Sequence, residues 1–164
     1  MSAAEGPRFG DVARAGALVR LPPARTFALF TEHIDRWWRR GPAWRMSARS
    51  VVLIEPQVGG RLYEQVEEPG GPRVYATGEV LAFEPPDRLL LRWRAVNFQP
   101  EEQTEVEVRF EARPSGTWVS VEHRGWAGLP ADHPVRHGAS VEVFIARMGR
   151  WWGDLLRALA EQAG

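Results

Sequence analysis

Residues 104–124, TEVEVRFEARPSGTWVSVEHR, constrain the fold of this chain more than any other stretch. Val106, Val108 and Phe110 alternate with Glu105, Glu107, Arg109 and Glu111, the triplet Pro-Ser-Gly reverses the chain, and Val119, Val121 and His123 alternate with Trp118, Ser120, Glu122 and Arg124. A period of two is the strand period, so these residues form an antiparallel hairpin with one dry face and one wet face. Such a sheet is covered on one side only. Another element has to lie on the dry side.

The element long enough to do so is at the C-terminal end. Between about residues 139 and 160, Val141, Phe144, Met148, Trp151, Leu155 and Leu159 recur at steps of three and four, flanked by Ile145, Trp152 and Leu156. That is a helix with a wide apolar stripe. Gly149 and Gly153 cost such a helix roughly 1 kcal/mol each, a cost that makes sense where backbone or ligand comes close.

Further strands are expected at 47–55, 60–67, 73–83 and 88–93, separated by PQVGG, EPGGP, EPPD and a polar loop around NFQPEEQ. Ahead of them, DVARAGALVRLP reads as a first strand, and ARTFALFTEHIDRWW, with Phe27, Phe30, Ile34 and Trp37 or Trp38 on one stripe, as one or two short helices starting near Pro22 and Pro23. The predicted architecture is α+β: a curved antiparallel sheet of about six to seven strands wrapped around the C-terminal helix, a helix-grip arrangement. Its expected extent is one domain over residues 11–164, preceded by a frayed tail over 1–10.

The segment IDRWWRRGPAWRM, residues 34–46, has the look of a basic, base-stacking strip. Charge argues against that use, because 21 arginines, with no lysine, balance 21 acids and leave no net field for a polyanion. Nucleic acid is therefore excluded as a partner, and the arginines are expected to be solvated or paired with acids. Adjacent helix positions point about 100° apart, so at least one of Trp37 and Trp38 should face inward, the other toward a cavity mouth. Trp44, in the exit loop, is expected to be partly exposed.

The absence of cysteine removes disulfides, iron–sulfur clusters, thiolate zinc sites and thiolate nucleophiles. No apolar run is long enough to span a bilayer and no signal pattern opens the chain, so a soluble cytoplasmic protein is expected. His133 and His137, four apart beside Asp132, lack a fourth ligand, and neither a metal nor a cofactor is expected. No nucleophile elbow, P-loop or dinucleotide fingerprint occurs.

In order and spacing, the blocks ARTFALFTEHIDRWW, IEPQVGGRLYE, TGEVLAFEPPDRLLLRW, TEVEVRFEARPSGTWVSVEHRGW and the terminal helix resemble the START-like helix-grip (SRPBCC) superfamily. The similar branch is that of the activator of the heat-shock-protein-90 ATPase, and the resemblance covers about residues 12–162. It implies a cavity between sheet and long helix that takes lipids, hormones, polyketides or other apolar molecules, and in a minority of members cyclase, aromatase or hydrolase chemistry. It supplies no catalytic motif. Co-chaperones of the branch carry a further N-terminal domain, so ATPase activation is not expected here.

Strand parity and the helix stripe select the candidate lining of that cavity: Trp93, Val108, Phe110, Val121, His123, Phe144, Met148 and Trp151, with Trp38 at the mouth. Arg61 and Tyr63, which share a strand face with Gln65 opposite Leu62, Glu64 and Val66, join this set if their face is the inner one. They would then orient a carboxylate or hydroxyl of the ligand. The leading reading is binding of a small apolar or amphipathic molecule, without catalysis. The alternatives are a cyclase- or hydrolase-type enzyme using His123 with Tyr63 or Glu64, and a chaperone-associated interaction module. A homodimer and a chaperone partner stay open.

Overall fold

The computed structural model describes residues 12–94, 98–99, 101–126, 129, 132–134 and 140–163. The expected tail over 1–10 and His137 lie outside the described residues. The elements run β1 (Val12–Val19), α1 (Pro23–Thr31), α2 (Ile34–Trp37), β2 (Val51–Ile54), β3 (Arg61–Glu68), β4 (Gly71–Glu84), β5 (Arg88–Trp93), β6 (Thr104–Arg113), β7 (Gly116–Arg124) and α3 (Val141–Glu161). All seven strands form one antiparallel sheet in the order β1-β7-β6-β5-β4-β3-β2. The sheet curls around α3, giving the α+β helix-grip arrangement that the hairpin and the terminal stripe predict.

The dry face is built from cross-strand neighbours. Phe110 lies opposite Val119, Val108 opposite Val121 and Leu89, and Val106 opposite His123 and Leu91. On β1 the same face carries Ala13, Ala15 and Ala17, paired with His123, Val121 and Val119, and reaches a larger side chain only at its last residue, Val19. Small side chains let α3 settle close to this edge strand. Gly149 belongs to that approach, since a Cβ there would sit 3.3 Å from the Arg14 carbonyl oxygen, whereas Gly153 faces open space.

Two apolar clusters result. The main one joins α1 (Phe27, Phe30), α2 (Ile34, Trp37), the sheet interior and the second half of α3 (Trp152, Leu155, Leu156, Leu159). A smaller one gathers Phe98, Trp126, Leu129 and Phe144, with Ile145 and Met148 packed against it. Proline opens α1 as expected, and Thr26 donates its hydroxyl to the Leu21 and Pro22 carbonyls. Ser140 caps α3 by accepting from the Val143 N–H at 3.4 Å.

β2 is shorter than the predicted 47–55 because residues 47–50 are held in a turn by a side chain of β3. Glu64 Oε1 accepts hydrogen bonds from the Met46 and Ser47 N–H groups at 2.6 and 3.3 Å and from the Ser50 hydroxyl. Backbone donors committed to a carboxylate are not available for a strand ladder.

The wet face is a lattice of opposite charges. Arg61, Glu79, Arg92, Glu105 and Arg124 stand directly opposite one another across five strands. Arg92 reaches Glu79 at 2.9 Å and Arg124 reaches Glu105 at 3.3 Å. Glu107, though only 7% exposed, is ringed by Arg88, Arg109 and Arg124. Burial pushes its carboxyl up, but bonds from Arg88 and Arg124 and the charges of Arg109 and Arg124 outweigh that and hold it below the usual range.

The turn between β6 and β7 depends on one residue. Gly116 has φ +151° and a Cβ there would lie 2.1 Å from the Val19 carbonyl oxygen, an overlap with backbone that no rotamer relieves. Gly116→Ala is expected to cost about 1–3 kcal/mol in urea unfolding; an unchanged midpoint would show that the β1–β7 edge yields instead.

Candidate ligand-binding site

α3 lies along the β1 edge of the sheet and leaves a void on the side toward β2–β5. That void measures about 70 Å³ and is lined by Trp38, Trp44, Val52, Leu62, Tyr63, Glu64, Thr77, Trp93 and Trp151. The rings of Trp38 and Trp93 are stacked with centroids 6.4 Å apart. Trp151 stands nearly perpendicular to both, at 5.9 and 6.2 Å.

Local chain geometry sets these indoles. Trp38 caps α2 and donates its Nε1–H to the Trp44 carbonyl at 3.1 Å, and Trp151 donates from α3 to the Ala43 carbonyl at 2.8 Å. The loop that carries both acceptors is organised by Arg45. Its guanidinium meets Asp35 Oδ1 at 2.6 Å and the carbonyls of Asp35, Trp38, Arg39 and Ser50 at 2.6 to 3.2 Å. Trp44 packs its ring under the Arg39 guanidinium at 5.6 Å. Its own Nε1–H is buried and has no hydrogen-bond acceptor, the one such side-chain atom among the described residues.

Both tryptophans of the Trp37-Trp38 pair are buried, with different duties. Trp37 donates to the Leu29 carbonyl at 3.1 Å inside the main core, while Trp38 borders the void. On β3 the inner face belongs to Leu62, Glu64 and Val66. Arg61 therefore sits outside, ion-paired with Glu55 at 2.8 Å and stacked on Tyr63 at 4.9 Å. Tyr63, on that outer face with Arg61, nonetheless borders the void, and the β3–β4 register shift beside it leaves Thr77 of β4 as the extra residue.

Of the other candidates, Trp93 and Trp151 line the void. Val108, Phe110 and Val121 are filled-core residues, and Phe144 and Met148 belong with the smaller cluster at the start of α3. His123 is fully buried and has both nitrogens engaged. Trp152 Nε1–H donates to Nδ1 at 3.1 Å, so Nδ1 is the bare nitrogen and Nε2 carries the proton toward Thr104 Oγ1 at 2.7 Å. No carboxylate among the described residues bonds to it. His133 pairs with Glu102 at 2.8 Å, and no cluster of metal-ligating side chains occurs among the described residues.

Parity had placed Glu64 opposite the candidate face. It is the charged group of the void, 7% exposed and held through Oε1 by the turn described above. Its sequence signal was the pair of apolar neighbours, Leu62 and Val66, that share its side of the strand. A larger, open groove of about 400 Å³ lies outside the sheet along Gly59, Arg61, Thr77, Glu79, Arg92 and Arg94. Its arginines are already occupied: Arg61 by Glu55, Arg92 by Glu79 and Arg94 by the Gln99 and Glu102 carbonyls. The smaller void, with its unused polar atoms, is the better site.

The family model described as "Activator of Hsp90 ATPase homolog 1-like protein" matches residues 20–162. The chain belongs to this family. Solved structures agree on the fold. A protein from Nitrosomonas europaea is 15% identical, with 94% of each chain covered and a TM-score of 0.61. The Aha1 dimer from Colwellia psychrerythraea is 16% identical, over 93% of this chain and 95% of that one, with a TM-score of 0.59. DynU16, described as a putative protein in the dynemicin biosynthetic locus, is 20% identical over 92% of this chain but 46% of its own, with a TM-score of 0.56. No curated protein matched the chain. No helix among the described residues is long and apolar enough to cross a membrane.

Proposed function

We propose that this family member binds a small apolar or amphipathic molecule in the tryptophan-walled void between the sheet and α3. The supporting observation is the combination in one place of empty space, four indoles, a carboxylate and an N–H without an acceptor. Protein interiors are close-packed, and a buried donor left unpaired costs about 1–3 kcal/mol. A ligand that fills the space and accepts from Trp44 removes both defects. At about 70 Å³ the void admits a group of a few heavy atoms. A larger ligand enters if Trp151, partly buried and tethered by one hydrogen bond to the Ala43 carbonyl, swings outward.

Native mass spectrometry of the purified protein, joined to a tryptophan-fluorescence titration with cyclohexanol, tests this reading. A co-purifying adduct or a saturable response is expected in the natural protein, and its loss in Val52→Phe, which places a ring in the void. A protein that carries no adduct and gives no response at any soluble concentration would make the void a packing imperfection. Self-association belongs to the same proposal, since the Colwellia neighbour is described as a dimer; light scattering of the free and ligated protein reads it.

A further inference from the structure

Two carboxylates of the sheet are buried to the same extent and treated differently. Glu107 and Glu64 are each 7% exposed. Glu107 has Arg88, Arg109 and Arg124 as counter-ions. Glu64 has none among the described residues: its bonds come from two backbone N–H groups and the Ser50 hydroxyl, all on Oε1. Arg45, which also touches Ser50 through the carbonyl oxygen, is committed to Asp35 at 2.6 Å. An acidic side chain is rarely buried unless paired, because removing the charge from water costs more than neutral hydrogen bonds return. Oε2 bonds to nothing among the described residues and is not sealed off, so it is open to a group that enters the void.

The walls specify what that is. Trp38, Trp44, Trp93 and Trp151 offer ring faces and edges around the space, with Tyr63 at the rim. Indole faces carry negative potential and attract organic cations, an interaction worth about 2 kcal/mol or more when water is excluded. A metal ion or a bare ammonium ion would lose its hydration for too few oxygen ligands. A neutral alcohol could donate to Oε2 but would leave the carboxylate charge uncompensated.

We infer that the void takes a small alkylammonium group, its alkyl carbons against the tryptophans and its charge beside Glu64. This rests on the ligand-binding reading and names the chemical class. A hydroxyl oxygen two carbons along from the nitrogen would in addition accept from the buried Trp44 Nε1–H.

The test compares trimethyl(2-hydroxyethyl)ammonium with its uncharged carbon isostere, 3,3-dimethylbutan-1-ol, on the full chain. Binding is read by calorimetry and by the indole N–H signals of Trp38, Trp44 and Trp151 in ¹H–¹⁵N spectra. The cation is expected to bind about ten-fold or more tighter than the isostere, with the Trp44 signal moving most. Glu64→Gln is expected to shrink that preference to the part the indole faces supply, and a preference unchanged in the variant would overturn the placement of the charge beside Glu64. The wild-type comparison stands by itself should Glu64→Gln fail to fold.

If the isostere binds as well as the cation, the alkylammonium assignment falls and the ligand-binding reading survives. If neither binds and cyclohexanol also gives no response, both fall. Decyltrimethylammonium then separates the sources of such a head group. Tighter binding than the short cation points to an amphiphile and equal or weaker binding to a free small amine, either result resting on cation recognition.

Discussion

Arg45→Ala is expected to destabilise the protein by about 3–5 kcal/mol, the range for removing one partner of a buried, hydrogen-bonded ion pair. The Arg45 side chain is 0% exposed and its donors make five bonds, one to a carboxylate and four to backbone carbonyls. Its loss takes a donor from each of those carbonyls, of which Ser50 alone keeps a bond from Arg40, and leaves Asp35 without its closest cation. Burial pushes the Asp35 carboxyl up, but bonds from the Val52 N–H and Arg45 and the charges of Arg45 and Arg40 outweigh it and hold the carboxyl below its ordinary 3.8. A lowered acid contributes stability above the unfolded value and loses it as pH falls through the folded one, so this share disappears under strong acid.

Arg45→Lys should recover little, because a single ammonium cannot reach acceptors spread over five directions. Urea unfolding with m held constant measures the effect. A loss under about 1 kcal/mol would place Arg45 among ordinary surface pairs and refute its role in the loop. Since the same loop supplies the Trp44 and Ala43 carbonyls that hold Trp38 and Trp151, ligand binding should vanish along with stability.

The second large effect belongs to His123 and depends on pH. Burial pushes its pKa well below the ordinary 6.5, and Trp152 donates to the nitrogen that a proton would need. In the unfolded chain the ring takes up a proton below about pH 6.5; in the folded chain it does not. The unfolded state then binds more protons, so stability falls as pH falls, by about 1.4 kcal/mol per unit below 6.5, until the folded ring itself titrates. Above 6.5 this residue contributes no pH dependence. His123→Gln should flatten the slope between pH 6.5 and 5 while lowering stability at pH 7.5 by about 1–3 kcal/mol through imperfect replacement of the two bonds. Chemical denaturation at four pH values separates these contributions, and parallel slopes in variant and natural protein would contradict the assignment.

These two residues show where reading the chain succeeds and where it stops. Periodicity carries the sheet and helices because burial imposes it locally: the alternation in β6 and β7 and the stripe of α3 are repeated many times over. His123 could be placed on an inner face by parity alone, but its partners, Thr104 and Trp152, are 19 and 29 positions away and no spacing announces them. Arg45 leaves less trace. Four of its acceptors are backbone carbonyls, which have no residue type to recognise.

On β3 the strand offered two polar-bearing faces, Arg61-Tyr63-Gln65 and Leu62-Glu64-Val66, and an acid on the inner one looked like the exception. The register shift beside Leu62 and Tyr63 leaves Thr77 as the extra residue of β4, and Thr77 lines the same void. A bulge is a property of two strands together, so neither strand displays it alone.

The row of alternating charge across the outside of the sheet bears on how the chain avoids misassembly. Each exposed arginine–glutamate pair stabilises by at most about 1 kcal/mol, so their sum is not what keeps the sheet folded. A shift of β7 by two residues along β6 would keep every apolar side chain inward, and hydrophobic burial could not reject it. It would, however, set Glu105 opposite Glu122 in place of Arg124. The charges thus act as a one-way stop on strand alignment: burial rejects odd shifts and the Arg–Glu row rejects this even one, whereas the opposite slip would set Glu107 opposite Arg124 and Arg109 opposite Glu122 and is not opposed by charge.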